Sequence, residues 1–288
     1  MAYPEDLAAR VDRYLNELVF GEDRLVSHLT EAMRYSLLAG GKRIRPVLLL
    51  ATGGAFGLEP EQMLPAAAAL EMIHTYSLIH DDLPAFDDDD LRRGQPTCHV
   101  RFGENVAILA GDALFAEAFR LICEQQQAAP AVTLAVVREI SEATGVRGMV
   151  GGQYLDVSGE AGNDQSLRLL HSLKTGRLIV ACVRAGGLLA GVDARTLELL
   201  GDFAAELGLL FQIKDDILDV IGETAVLGKQ AGTDARLERS TYVSVHGLEA
   251  AQQLALGSHR QALAALDRIG GKTAALAGIT NYIYERQR

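Results

Sequence analysis

The chain has 288 residues, long for one domain but within reach of a large helical one, and no low-complexity stretch or polar linker divides it. Hydrophobic residues make up 49%, enough for a sizeable core. A formal net charge of -11 argues against non-specific nucleic-acid binding, and it means that an anionic substrate must meet local cations or metal ions. Residues 1–13 mix charges of both signs and contain no apolar signal-peptide core. The longer apolar stretches are interrupted by Gly, Asp or Arg, so no clean 18-residue span appears and stable membrane insertion is not expected. Cys98, Cys123 and Cys182 are odd in number and widely spaced, a pattern expected of free thiols in a reducing cytoplasm.

Helical periodicity dominates along the chain. Segments near 5–20, 24–39, 61–82, 104–127, 131–149, 164–173, 175–190, 194–221, 247–265 and 272–286 read as helices. Gly40-Gly41, Gly53-Gly54, Pro130, Gly151-Gly152, residues 159–162, Gly191, Gly222 and Gly270-Gly271 read as punctuation. No convincing period-2 strand and no hairpin signal is found, and the Val-rich run at 131–137 reads as helix because of its flanks. Residues 104–123 and 176–190 are apolar nearly all round, which predicts burial at the centre of a bundle or beneath a partner subunit. The expected fold is all-α: a single bundle of about ten helices spanning residues 1–288 as one domain, with a dimer interface.

Two acidic clusters carry the chemistry. Residues 81–90 read DDLPAFDDDD, with Asp at six of ten positions. Packing so many like charges raises their pKa values unless cations compensate. Pro84 is expected to end the helix carrying Asp81 and Asp82, leaving the later aspartates in a turn where Asp is a good cap. A solvated acidic loop explains this cluster equally well when it is taken alone. The second cluster, Asp215-Asp216-Ile217-Leu218-Asp219, is harder to explain away. Asp215 and Asp219 share one helix face, and acids inside an apolar helix are expensive unless paired or bound to metal. Oxygen-only ligands without the spacing of a calcium loop favour Mg²⁺ that keeps waters and substrate oxygens. Cations stand beside glycines in residues 40–46 (GGKRIRP), at Arg92-Arg93, at Lys174 and at Lys229, a distribution suited to phosphate oxygens. Neither a P-loop nor a dinucleotide fingerprint is present.

Seven motifs in order, GGKRIRP at 40–46, HDDLPAFDDDDLRRG at 80–94, FGENVAILAGDAL at 102–114, GGQYLD at 151–156, KTG at 174–176, FQIKDDILD at 211–219 and LGKQAGTD at 227–234, resemble the trans-isoprenyl diphosphate synthases, most closely the bacterial farnesyl diphosphate synthases. The resemblance covers nearly the whole chain. It implies an all-α fold around a deep central cavity, usually a homodimer, with three Mg²⁺ ions gripping the diphosphate of an allylic substrate. On this resemblance Asp81, Asp82 and Asp87 are first-motif metal ligands, and Asp215 is the main second-motif ligand with Asp216 and Asp219 supporting it. Arg92, Lys174 and Lys229 hold the allylic diphosphate, while Lys42, Arg45, His74 and Arg93 hold isopentenyl diphosphate. Thr175 and Gln212 present dipoles to a developing carbocation, supported by the pair Gln153 and Asp156. His74 also lies nearly two full turns before Asp81, about 20° from the same face. His80, next to Asp81, reads as a packing or capping residue.

The same family sets product length with the residues four and five positions before the first acidic motif, here Ser77 and Tyr76. Aromatic Tyr76 implies a C15 product, with a geranylgeranyl product as the alternative. On a helical wheel Ser77 lies about 40° from Asp81 and Tyr76 about 140° away, so only tertiary geometry can bring Tyr76 to the cavity. The late segment Arg239-Ser240-Thr241-Tyr242-Val243 departs from the family's K-x-T-Y-P, with Arg for Lys and no proline, so the closing geometry of that loop is not carried over. A regulatory subunit that has lost an acidic motif, a plain acidic scaffold and a terpene cyclase fit the intact and paired motifs less well. Tyr76→Ala is expected to lengthen the product, read by chain-length analysis; an unchanged product removes Tyr76 from this role.

Overall fold

The computed structural model describes residues 3–21, 23–159, 164–221 and 240–287. Its helices are α1 (Glu5–Glu17), α2 (Ser27–Leu37), α3 (Ile44–Ala55), α4 (Leu64–Asp81), α5 (Cys98–Phe102), α6 (Glu104–Gln125), α7 (Pro130–Thr144) and α8 (Met149–Ser158). They continue with α9 (Asp164–His171), α10 (Arg177–Leu189), α11 (Ala194–Ile221), α12 (Tyr242–His246), α13 (Leu248–Asp267) and α14 (Ala274–Glu285). A π turn, Ser172–Gly176, joins α9 to α10. The all-α expectation holds, although the chain is cut into more helices than the ten read from periodicity. No described helix is long and apolar enough to cross a membrane.

The centre of the bundle is built where sequence offers no polar face. Along α4, residues Ala66 to Ile73 are all buried, including Glu71, and the helix packs on α6. Along α11, Leu200, Phe203, Ala204, Leu207, Leu210, Ile213 and Ile217 recur at helical spacing and pack on α10 and α13. Helix α3 lies against α10 so closely that a Cβ on Gly186 would stand 2.5 Å from the Leu49 carbonyl oxygen.

Four departures from the sequence reading have local causes. Helix α3 is absent from the helices read from periodicity, where Gly53-Gly54 reads as a break. Pro46 falls in the first turn, where its missing N–H costs nothing, and Gly53 sits inside the helix as glycine because Met63 Sδ occupies the space a Cβ would take. The segment 131–149 divides at Gly145 and Gly148 into α7 and α8, and Gly151-Gly152 lies inside α8. The segments 164–173 and 175–190 are continuous through the π turn. A two-residue antiparallel pair, Leu91–Arg92 with Gln95–Pro96, forms a hairpin the sequence reading missed. Arg93 (φ 55) and Gly94 (φ 76) are both left-handed in its two-residue turn, and Gly94 was the signal for it.

Gly186→Ala is expected to lower the stability of the fold by about 1–3 kcal/mol despite alanine's better helix propensity, because the clash is with backbone. A denaturant midpoint equal to or above that of the wild type would contradict the backbone contact of α3 and α10.

Candidate active site

A cavity of about 770 Å³ opens between the loop before α3, the end of α4, α8, the π turn and α11. The loop is the first device that shapes it. Gly40 (φ 83) and Gly41 (φ 130) take backbone angles that side chains disfavour, and Arg43 (φ 52) follows in the left-handed region. The strain at Arg43 is held by its buried guanidinium, which donates to Glu71 Oε1 (2.6 Å), Asp12 Oδ1 (2.8 Å) and the Leu37 carbonyl (3.1 Å). The Tyr3 hydroxyl donates to the Lys42 carbonyl. With the backbone so fixed, Lys42 and Arg45 face the cavity. A Cβ on Gly41 would lie 2.7 Å from Arg93 Cζ, so glycine there makes room for the Arg93 guanidinium, which donates to the Gly40 carbonyl.

Arg45 Nη1 lies 3.3 Å from His74 Nε2. A guanidinium only donates, so Nε2 accepts and the proton of the neutral ring sits on Nδ1. Burial, then Arg45, Arg93 and Arg92, push His74 well below its ordinary value, so the ring is neutral at pH 7. Among the described residues Arg45 Nε is buried with no hydrogen-bond partner.

Helix α4 ends at Asp81, with Asp82 as its cap, and the chain turns back on itself. The Asp87, Asp88 and Asp89 amides donate to the carbonyls of Asp81 (2.9 Å), Leu83 (3.2 Å) and Asp82 (3.3 Å), satisfying the helix end and bringing Asp87 beside Asp81. Asp81 and Asp87 line the cavity. Asp82, 2% exposed, does not line it; its Oδ1 accepts from Arg92 Nε (2.7 Å) and Nη2 (2.6 Å). Burial pushes Asp82 up to about 6 although Arg92 opposes it. Arg92, expected on the allylic diphosphate, reaches the cavity wall as the partner of Asp82.

Opposite these, the π turn presents Lys174, whose ammonium donates to Asp156 Oδ2 of α8 at 2.7 Å. A Cβ on Gly152 would stand 2.2 Å from the Lys174 amide nitrogen, and one on Gly208 would stand 3.0 Å from Gly176 Cα. The turn therefore touches α8 and α11 backbone to backbone. One helical turn beyond Gly208, Gln212 meets Thr175, whose hydroxyl donates to Gln212 Oε1 at 3.0 Å. On α11, Asp215, Asp216 and Asp219 also line the cavity. Asp216 is 1% exposed; Gln212 Nε2 donates to its Oδ1 (2.8 Å) and the Tyr242 amide to its Oδ2 (2.7 Å).

The donors facing this space are carboxylate oxygens from two motifs, which fits a hard cation. Among the described residues no three His, Cys, Asp or Glu side chains group closely enough to hold an ion by themselves.

Tyr76 and Ser77 both line the cavity. Tyr76 packs edge-on against Phe115, with ring centres 5.0 Å apart, so it is a core aromatic and a cavity wall together. The Ser77 hydroxyl donates to the His74 carbonyl at 2.9 Å. Gln153 lines the cavity as well. His80 Nε2 lies 3.1 Å from the Ile108 carbonyl of α6, in keeping with a packing role. Lys229 and Arg239 lie outside the described residues. Val243 occupies the second position of α12, where a backbone N–H has no partner within the helix, so replacing proline costs no helical hydrogen bond.

Two site residues escaped the sequence reading. Arg286 donates to Asp215 Oδ1 (3.0 Å) and the Phe211 carbonyl (3.1 Å), and its guanidinium stacks 4.2 Å from the Phe211 ring centre. Its only signal was a basic chain end. His171 is buried beside Tyr242, 3.9 Å from Asp216 Oδ2, and burial pushes it down to about 4. It stands three residues before Lys174, and both line the cavity.

The neutral state of His74 has a measurable consequence. Its folded value lies below 6.5, so below that pH the unfolded chain binds more protons at this site and stability falls on acidification. In His74→Gln, the unfolding free energy from urea titration is expected to fall less between pH 7 and pH 5 than in the wild type, by at most about 1.4 kcal/mol per pH unit. Equal slopes would contradict a neutral, buried His74.

Comparison with known proteins agrees with this geometry. The family model described as polyprenyl synthetase matches residues 26–274. The chain is 44% identical to a farnesyl diphosphate synthase of Escherichia coli (strain K12), covering 100% of both. It is also 43% identical to a chloroplastic geranylgeranyl pyrophosphate synthase of Capsicum annuum, covering 99% of this chain and 78% of that one. Its fold matches a Helicobacter pylori geranyltransferase solved in complex with magnesium and isoprenyl diphosphate, with a TM-score of 0.88 and 31% identity over 98% of this chain and 97% of the other. With a matching family model over most of its length and close relatives over all of it, the chain belongs to the polyprenyl synthetase family.

Proposed function

We propose that the chain is a farnesyl diphosphate synthase, condensing isopentenyl diphosphate first with dimethylallyl and then with geranyl diphosphate. The observation that carries this reading is one cavity faced by carboxylates from two motifs, Asp81 and Asp87 on one side and Asp215 and Asp219 on the other, with Lys42, Arg45, His74, Arg93 and Lys174 on the same walls. Mg²⁺, read as three ions with substrate bound, supplies neutralisation of the departing diphosphate when present. Asp81, Asp87, Asp215 and Asp219 are the carboxylates we assign to it; Asp82 acts through Arg92.

The chain's own groups divide the remaining work. Lys174, Arg92 and Lys229 hold the allylic diphosphate, and Lys42, Arg45, His74 and Arg93 hold isopentenyl diphosphate. The allylic C1–O bond breaks with its electron pair going to the diphosphate. Thr175 and Gln212 turn dipoles toward the positive charge left on carbon. The isopentenyl double bond attacks that carbon, and the resulting cation loses a proton to the departing diphosphate. Met149, Val150, Leu170 and Phe211 line the cavity and keep water from the cation.

Tyr76, packed on Phe115, closes the wall against which the growing chain abuts, which supports a C15 product. Small Ser77 beside it favours the alternative, geranylgeranyl diphosphate. We also read the enzyme as a cytoplasmic homodimer: Ile108 and Leu109 are exposed on apolar α6, and Cys98, Cys123 and Cys182 are free thiols.

Incubation with dimethylallyl and isopentenyl diphosphates and Mg²⁺ is expected to give C15 product that EDTA abolishes. Asp81→Ala or Asp215→Ala is expected to reduce kcat/KM by about a hundredfold or more. A C20 product selects the alternative, and no condensation product at all overturns the reading.

A further inference from the structure

Asp216 stands apart from the other aspartates of its motif. It is 1% exposed, and its two oxygens accept from groups of the protein, Gln212 Nε2 at 2.8 Å and the Tyr242 amide at 2.7 Å. Gln212 lies one helical turn before it, at a spacing where side chains meet. The other end of the Gln212 amide accepts from the Thr175 hydroxyl at 3.0 Å. Three side chains thus form a line from the interior of α11 to the cavity wall.

The polarity of that line is fixed at its buried end. A carboxylate accepts and does not donate, so Asp216 compels the Gln212 NH₂ to face it. The amide oxygen must then face Thr175. A hydroxyl has one proton, and here it is committed to Gln212, so lone pairs of Thr175 Oγ are what the hydroxyl offers to the cavity. Without Asp216, the Gln212 amide can turn over and offer its NH₂ to Thr175. The hydroxyl would then accept, and its proton would swing toward the reacting carbon. The first arrangement stabilises positive charge on an allylic carbon, and the second opposes it.

We propose that Asp216 is a positioning residue and not a metal ligand: acting through Gln212, it sets the Thr175 hydroxyl so that its lone pairs face the place where allylic positive charge develops. The inference rests on the condensation proposed above. Preorganised dipoles of this kind act in a site closed to water, where reorienting one is felt strongly in the chemical step and little in binding.

A double-mutant cycle tests the link. Thr175→Val and Asp216→Asn are each expected to lower kcat about tenfold with KM for isopentenyl diphosphate unchanged. In the Thr175→Val background, Asp216→Asn is expected to change kcat by less than about twofold, because the group it positions is gone. Calorimetry with Mg²⁺ and a non-ionising allylic thiolodiphosphate is expected to give the same affinity for D216N as for the wild type, and a weaker one for D215N. Effects that multiply in the cycle, or loss of Mg²⁺ affinity in D216N, overturn the inference. If D216N does not fold, D216E, which keeps the accepting carboxylate, is expected to hold kcat within about threefold of the wild type and to leave Mg²⁺ affinity unchanged, and a loss of Mg²⁺ affinity in it overturns the inference. A wild-type chain that makes no prenyl product would instead sink the proposed condensation, so the two failures are distinguishable.

Discussion

The π turn at Ser172–Gly176 touches two helices backbone to backbone, and the site depends on that contact. Gly152 of α8 admits the Lys174 amide, and Gly208 of α11 admits Gly176. A side chain at either glycine would separate elements that carry opposite walls of the cavity. Because the backbones meet, Lys174 reaches Asp156 and Thr175 reaches Gln212. The wide helical turn shifts register by one residue at the point where two functional side chains must face the same space, a use π turns often serve.

The second constraint is electrostatic. The chain gathers aspartates around one cavity, and the two that are buried most deeply are engaged by donors. Asp82 holds Arg92, and Asp216 holds Gln212 and the Tyr242 amide. Asp81, Asp87, Asp215, Asp216 and Asp219 all line the cavity, and Asp82 does not. The basic side uses the same economy. Arg43 is consumed by Glu71 and Asp12 to hold a left-handed backbone, and its neighbours Lys42 and Arg45 face the cavity as a result. A buried pair of this kind contributes little net stability, but losing one partner leaves an isolated charge, so its worth lies in fixing position.

Much of the fold was legible because its signals are local. Periodicity located α1, α2, α4, α6, α10, α11, α13 and α14, and proline at the first turn placed the start of α7. Reading failed where a glycine serves packing and not a break: Gly53 beneath Met63 hid α3, and Gly151-Gly152 hid the interior of α8. It failed again at the Arg93-Gly94 hairpin, too short for any period to register. A helical wheel placed Tyr76 far from the acidic face, yet the cavity is wide enough to include both Tyr76 and Ser77.

The sequence by itself determined the family, the all-helical class and the residue types of the site, because acids inside apolar helices and cations beside glycines are unusual at any position. It could not tell which aspartates face the cavity. Asp81 and Asp82 are neighbours in the chain, as are Asp215 and Asp216, but a helix turns adjacent residues about 100° apart, so their surroundings differ. Only packing decided that Asp82 meets Arg92 and that Asp216 meets the Tyr242 amide. Only packing brought the far end of the chain to the site, where Arg286 meets Asp215. These are contacts between residues distant in sequence or separated by one helical step, and side-chain direction in a packed interior is fixed by neighbours that no local pattern records.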